Sequence, residues 1–316
     1  MQLIATVICY NTTMSSPTWF LAALVGHLLN GGAFIIDKTL LRGSFTRPAT
    51  YASIIGSIGL AALVLIPFGV FNPDVNGWFW MLLSGASFTV SLWLFFTALS
   101  AGEASRVVPV VGSLIPVLTL AATATFLHER LTVEQLYGFG FLVAATIILS
   151  GGASKSRLTT RTVGIAVLAA AMFAFSSVTG KIAYDGYGFL TTFTISRLAG
   201  VAAAIVLLLL DRKAANEVRV IFLGGKTRGR NNPAALVLLG QTMGGVGFVG
   251  VQYATSVGSA ALVNALQAVQ YALLVIVALL LRKIAPKLLG EDLTSRTVVR
   301  KCAAIFFTGL GLWLVV

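Results

Sequence analysis

Four side chains that can donate and accept hydrogen bonds recur along one apolar stretch near the end of the chain. They are Asn264, Gln267, Gln270 and Tyr271, and their spacing places them on one face of a helix. Polar groups inside a bilayer are costly, so each is a candidate functional group. Amides suit a zwitterionic or polyhydroxyl solute because they supply both donors and acceptors. The stripe predicts a solute-binding surface, with a polar contact between helices as the alternative.

Other apolar stretches carry isolated polar groups. His27 and Asn30 are three residues apart, and the imidazole can carry a coupling proton because it titrates near neutral pH; a packing role is the alternative. Arg197 lies well inside an apolar segment, where it needs a carboxylate of the protein or of a solute. The remaining substrate-binding candidates are Trp93, Lys181, Gln241 and Gln252.

The composition indicates a polytopic membrane protein. Of the 316 residues, 57% are hydrophobic and 10% are charged, whereas a soluble domain carries roughly 25% charged residues. The net charge of +12 would suggest nucleic acid in a soluble protein. Here the basic residues fall between apolar segments, where they set membrane orientation, so no nucleic-acid partner is expected.

About ten apolar segments have the roughly 20-residue length that spans a bilayer as a helix. Lipid tolerates only helices or closed barrels, and these segments are too long and too uniformly apolar for barrel strands. The predicted spans are Pro17–Leu41, Pro48–Phe71, Trp78–Ser100, Ser105–Leu127, Val133–Gly152, Thr162–Tyr184, Phe189–Leu210, Ala234–Thr255, Ser259–Leu281 and Val298–Val316. Residues 211–232 are predicted to form a solvated surface loop.

The chain repeats itself. Thr97–Val108 is similar to Tyr253–Asn264, and Leu127–Thr132 is similar to Leu289–Thr294. Internal repeats of apolar halves are typical of secondary transporters. We therefore predict an N-terminal extension at residues 1–16, a first five-helix repeat at 17–152, a linker at 153–161 and a second five-helix repeat at 162–316.

The basic residues fall almost entirely on one side of the predicted membrane. Only Arg130, Lys181 and Arg197 of the 22 lysines and arginines fall on the other side. The positive-inside rule makes the basic side cytoplasmic, which places both termini outside. Because each half has an odd number of spans, the second half must be inverted relative to the first.

Several motifs of the first half resemble the EamA domain of the drug/metabolite transporter superfamily. They are Gly102–Pro116, Phe126–Thr132, Gln135–Gly138 and Gly151-Gly152. The second half keeps Gly258 and Gly309-x-Gly311 but places Ala265 and Ala272 opposite Pro109 and Pro116, which predicts a smoother ninth helix. The resemblance implies ten helices in two inverted repeats, a central cavity and alternating access for amino acids, nucleotide sugars or drug-like solutes.

The sequence thus predicts a secondary transporter of small metabolites, coupled to a proton or ion gradient or working by exchange. With two histidines, it offers no metalloprotease motif, no catalytic triad and no phosphate-binding loop, so neither enzymatic activity nor a cofactor is expected. The expected partners are the lipid bilayer and a small solute, and the expected location is the plasma or inner membrane. A non-transporting scaffold or a membrane-embedded enzyme is the alternative.

Overall fold

The computed structural model describes residues 17–40, 47–102, 104–150, 158–223, 234–280 and 295–316. Throughout these ranges the regular structure is helical, with no strand, as the apolar segments predict. The predicted extension at residues 1–16 and most of the predicted linker lie outside the described residues, as does the second copy of the Glu-containing turn at Leu289–Thr294.

The described residues of the first half form five α-helices and one long 3₁₀ helix. Helix α3 is capped by Asp74, whose carboxylate accepts a hydrogen bond from the Gly77 amide at 2.8 Å. Helix α5 begins with a capping box, in which Thr132 and Gln135 each accept the other's backbone amide. The elements are α1 (Thr18–Leu40), α2 (Pro48–Ser57) continuing into a 3₁₀ helix (Ile58–Phe68), α3 (Val75–Ala101), α4 (Ala104–Phe126) and α5 (Val133–Ser150).

In the second half, seven helices lie within the ranges that the structure describes. Thr159 caps α6, and Ser259 caps the short α10, as expected for hydroxyl side chains at helix starts. The elements are α6 (Thr160–Tyr187), α7 (Phe189–Leu210), α8 (Arg212–Leu223), α9 (Ala234–Val257), α10 (Ala260–Ala265), α11 (Gln267–Leu280) and α12 (Ser295–Val315).

Among the described residues, seven helical stretches are long and apolar enough to cross a membrane, which makes this an integral membrane protein. The other three predicted spans correspond to helices α5, α9 and α12. Of these, α5 is apolar but shorter than a full span. The arrangement as ten spans therefore remains a proposal. The seven stretches are Thr18–Ile36, Pro48–Phe68, Val75–Ala101, Arg106–Phe126, Thr160–Tyr187, Phe189–Leu210 and Ala260–Val277.

The predicted surface loop at residues 211–232 is wrong in its first part, because α8 occupies Arg212–Leu223. Asp211 caps this helix by accepting the Lys213 and Ala214 amides, both at 3.1 Å. Arg47 bridges the Asp211 carboxylate at 3.4 Å and the Glu217 carboxylate at 3.7 Å. The Ala214 amide, together with Arg47, holds the pKa of Asp211 below its ordinary value.

Two helix pairs form the most extensive contacts of the bundle, α3 with α6 and α1 with α9. Ser84 and Ser176 join the first pair, each hydroxyl donating to the other residue's backbone carbonyl at 3.0 and 2.8 Å. Gly26 and Gly247 allow the second pair to touch backbone to backbone. In the predicted repeat, α1 corresponds to α6 and α3 corresponds to α9. The contact of α3 with α6 is therefore the counterpart of the contact of α9 with α1, which supports the inverted-repeat proposal.

Candidate functional site

A cavity of about 230 Å³ lies between helices of both halves. Phenylalanine rings, including Phe88 and Phe248, form much of its apolar wall. Its polar wall includes seven of the eleven predicted site residues: His27, Asn30, Gln252, Asn264, Gln267, Gln270 and Tyr271. The amide stripe and the polar pair of α1 thus converge on one space, although they are more than 200 residues apart in sequence.

The stripe does not lie on one smooth helix, which corrects the prediction for the ninth span. The helix is interrupted at Leu266, between α10 and α11, where the Val269 amide bonds the Leu266 carbonyl at 2.9 Å over only three residues. In contrast, α4 runs unbroken through Pro109 and Pro116. The helix with alanines at these positions is therefore interrupted, whereas the helix with prolines is continuous. Contacts around the cavity outweigh the helix preference of alanine here.

His27 joins α1 to this interruption. Its Nε2 donates to the Val263 carbonyl at 2.9 Å, because a carbonyl oxygen can only accept. The ring is 6% exposed, and its Nδ1 has no hydrogen-bond partner among the described residues, although the Gln270 amide lies beside the ring. In this tautomer Nδ1 is an acceptor on a residue that lines the cavity.

Asn264 ties three helices together at the cavity wall. Its amide nitrogen donates to the Thr119 hydroxyl of α4 at 3.1 Å and to the Ser177 hydroxyl of α6 at 3.2 Å. Asn264 therefore both lines the cavity and makes a polar contact between helices.

Tyrosine hydroxyls close two further sides of the cavity. The Gln252 amide lies 3.4 Å from the Tyr184 hydroxyl. Tyr271 approaches Gly112 of α4 so closely that a methyl group added at Gly112 would lie 2.9 Å from its hydroxyl. Sequence reasoning missed Tyr184, Ser177 and the phenylalanine wall, because such residues occur equally in packed or lipid-facing surfaces; only the serine repeat at Ser176-Ser177 was a signal.

Three predicted site residues do not line the cavity and lie away from its polar wall. Trp93 is 38% exposed on the outside of α3, and Gln241 is exposed on α9. Lys181 forms an ion pair with Asp185 at 2.9 Å, one turn along α6. Its ammonium also lies 3.4 Å from the Ser256 carbonyl, so its charge is compensated locally.

Arg197, the fourth predicted residue that does not line the cavity, lies directly behind its aromatic wall. Its guanidinium carbon lies 4.5 Å from the centre of the Phe88 ring and 4.6 Å from that of Phe248, and 5.9 Å from that of Phe193. Phe88 and Phe248 both line the cavity. One layer of aromatic rings therefore separates this cation from the cavity.

Comparison with known proteins agrees with this architecture. No curated protein matches the chain. A solved structure described only as "Crystal structure of protein" is 18% identical, covers 95% of this chain and 98% of its own, and superposes with a TM-score of 0.65. At that identity the likeness shows the fold alone. A family model of transporters matches the first half, which points to membrane transport in general. Residues 17–151 match the EamA-like transporter family, which confirms the resemblance identified from their motifs.

Proposed function

We propose that the protein is a secondary transporter that moves a small metabolite across the membrane by alternating access. The observation that supports this most strongly is the cavity between the two halves, whose polar wall is made of amide and hydroxyl groups. The interrupted helix α10/α11 at this wall is a second support, because transporter sites are typically built at discontinuous helices.

The proposed solute is compact and carries both polar and apolar parts. The cavity volume of about 230 Å³ is below the roughly 300–1,000 Å³ of typical ligand pockets, which favours an amino-acid-sized solute over a nucleotide sugar or a bulky drug. His27, Asn30, Gln267 and Gln270 supply the hydrogen bonds in this proposal. The aromatic wall supplies the apolar contact.

Coupling to an ion gradient, or exchange of one solute for another, drives the cycle in this proposal. A proton-carrying role for His27 remains a prediction, as does location in the plasma or inner membrane. Uptake measured with and without an imposed pH gradient would separate proton coupling from exchange, because exchange against internal solute needs no gradient.

A non-transporting membrane enzyme or scaffold is the alternative class. An enzyme of this kind would be expected to group histidines and carboxylates at one membrane face. The residues described in the structure contain no group of three or more His, Cys, Asp or Glu side chains that could hold a metal. The amide-lined cavity therefore favours transport.

Solute flux in proteoliposomes tests the proposal. Purified protein would be reconstituted and offered labelled amino acids, nucleotide sugars and quaternary amines, with protein-free vesicles as the control. We expect saturable uptake of at least one small solute, competed by its unlabelled form. Absence of protein-dependent flux across the whole panel would favour the scaffold or enzyme.

A further inference from the structure

Arg197 is a buried cation that forms no ion pair with any carboxylate among the described residues. It lies in α7 and is 9% exposed. Arginine remains charged in proteins, and removing such a charge from water is unfavourable even after the surroundings relax. A residue with this cost inside a membrane protein needs a compensating group.

Within the described ranges, no carboxylate oxygen lies within 4.0 Å of the Arg197 guanidinium. Three carboxylates of the second half pair with other cations: Asp185 pairs with Lys181, and Asp211 and Glu217 pair with Arg47. The Nε of Arg197 is buried without a hydrogen-bond partner. One turn earlier on the same helix face, the Thr194 hydroxyl is likewise buried and unpartnered.

The compensation that the structure shows is aromatic. The rings of Phe88, Phe193 and Phe248 lie against the guanidinium, and desolvation strengthens cation–π contacts of this kind. Such contacts offset part of the cost of burial but provide no negative charge. As far as the described part of the chain shows, the site therefore retains a positive charge without a carboxylate partner close to the cavity.

The rings that cover Arg197 are carried by different halves of the protein. Phe88 belongs to α3 and Phe248 to α9, and both form the cavity wall. Relative movement of the halves during transport would separate these two rings and open Arg197 to the solute.

We propose that Arg197, with Thr194 beside it, is a concealed anion subsite that receives the carboxylate of the transported solute when Phe88 and Phe248 separate. This inference rests on the proposed transport function and names its substrate class. One uncompensated cation matches one carboxylate, whereas a phosphate monoester would bring a charge of about −1.5 to −2. The neutral amides of the remaining wall then hold the uncharged part of the solute.

Matched pairs of small molecules that differ by one carboxylate test the inference. Binding to the purified full-length protein in nanodiscs would be measured by thermal shift for benzoate and benzamide, glutamate and glutamine, and succinate and succinamate. The wild type should bind the carboxylate member of at least one pair roughly tenfold more tightly, as a charge-assisted hydrogen bond implies. Equal binding within every pair would overturn the inference without any variant being needed.

Two variants then assign the preference to Arg197. Arg197→Gln should lose the preference for the carboxylate, whereas Arg197→Lys should still bind the carboxylate more tightly because the positive charge remains. Lys181→Gln is the matched control, since Asp185 already neutralises that lysine, and should leave the preference unchanged. A preference that persists in a folded Arg197→Gln protein would overturn the assignment. Saturable flux of neutral solutes without a carboxylate preference would uphold transport while rejecting the anion subsite.

Discussion

At the scale of single residues, Asn264 shows what can be predicted from the sequence and what cannot. The spacing of Asn264 with Gln267 and Gln270 predicts a shared helix face, and all three line the cavity. Their partners could not be predicted, because Thr119 and Ser177 lie on other helices at distances along the chain that no local pattern encodes.

Replacement of Asn264 by alanine should therefore loosen the bundle as well as alter the cavity. The substitution leaves the Thr119 and Ser177 hydroxyls without this donor, and interhelical hydrogen bonds in membranes contribute about 1 kcal/mol. We expect a lower melting temperature in detergent. The Asn264→Ala effect should shrink in a Thr119→Val, Ser177→Ala background; equal effects in both backgrounds would contradict the assigned bonds.

Asp74 supplies a pH-dependent contact outside the spans. The Tyr187 hydroxyl and then the Gly77 amide hold the pKa of this carboxylate below its ordinary value of 3.8. A lowered pKa in the folded state means that the contact stabilises the protein above that ordinary value, and that the stabilisation is lost as pH falls through the folded-state pKa.

Asp74→Asn should accordingly be less stable than wild type at pH 7, and the difference should vanish at low pH. Asparagine keeps a capping oxygen but lacks the charge, so it mimics the protonated aspartate. Melting temperatures of both proteins across pH 3 to 7 would be compared. A difference that grows on acidification would contradict the direction of the pKa shift.

At the scale of helices, α1 and α9 are positioned by glycine rather than by large side chains. A methyl group added at Gly247 would lie 2.7 Å from the Gly26 carbonyl oxygen and 2.7 Å from the Asn30 side chain. Because the Gly26 oxygen belongs to the backbone, one of the two helices would have to shift to accommodate the methyl group. The glycine-rich sequence predicts close packing in general, but which glycines touch depends on the helix partner.

Gly247→Ala should thus destabilise the protein, by about 1–3 kcal/mol for an overpacked contact. Gly245→Ala on the same helix is the matched control, because an added methyl group there meets no atom within 4 Å. Chemical or thermal unfolding in detergent would rank the two variants. Equal stability would show that α1 and α9 do not pack at this distance.

At the scale of the whole molecule, the sequence predicts the helical class, the family resemblance and the basic side of the membrane. It could not predict the interruption at Leu266, where His27 of the distant helix α1 bonds the Val263 carbonyl. Helix α8 had a local signal that was missed, because Asp211 directly precedes the helix and caps it; its ion pairs with Arg47 could not be predicted. The sequence also predicts Trp93 and Gln241 as site residues, but both lie on exposed faces of their helices.

The predicted inverted topology gives a labelling pattern. In a protein with its two cysteines replaced by serine, Gly186→Cys lies between the sixth and seventh predicted spans, whereas Arg161→Cys lies on the basic side; both positions are exposed. A membrane-impermeant maleimide should label the former in intact cells and the latter only after permeabilisation. The reverse pattern would place the basic side outside and contradict the orientation.

The central claim is that the cavity between the halves holds the transported solute. Two glutamine substitutions test it most directly: Gln267→Ala, which changes the cavity wall, and Gln241→Ala, which changes an exposed surface of α9. Solute uptake into proteoliposomes would be measured at matched protein content. We expect Gln267→Ala to lower uptake roughly fivefold, the effect of losing one hydrogen bond to the solute, with Gln241→Ala unchanged. Normal uptake by Gln267→Ala would contradict the account.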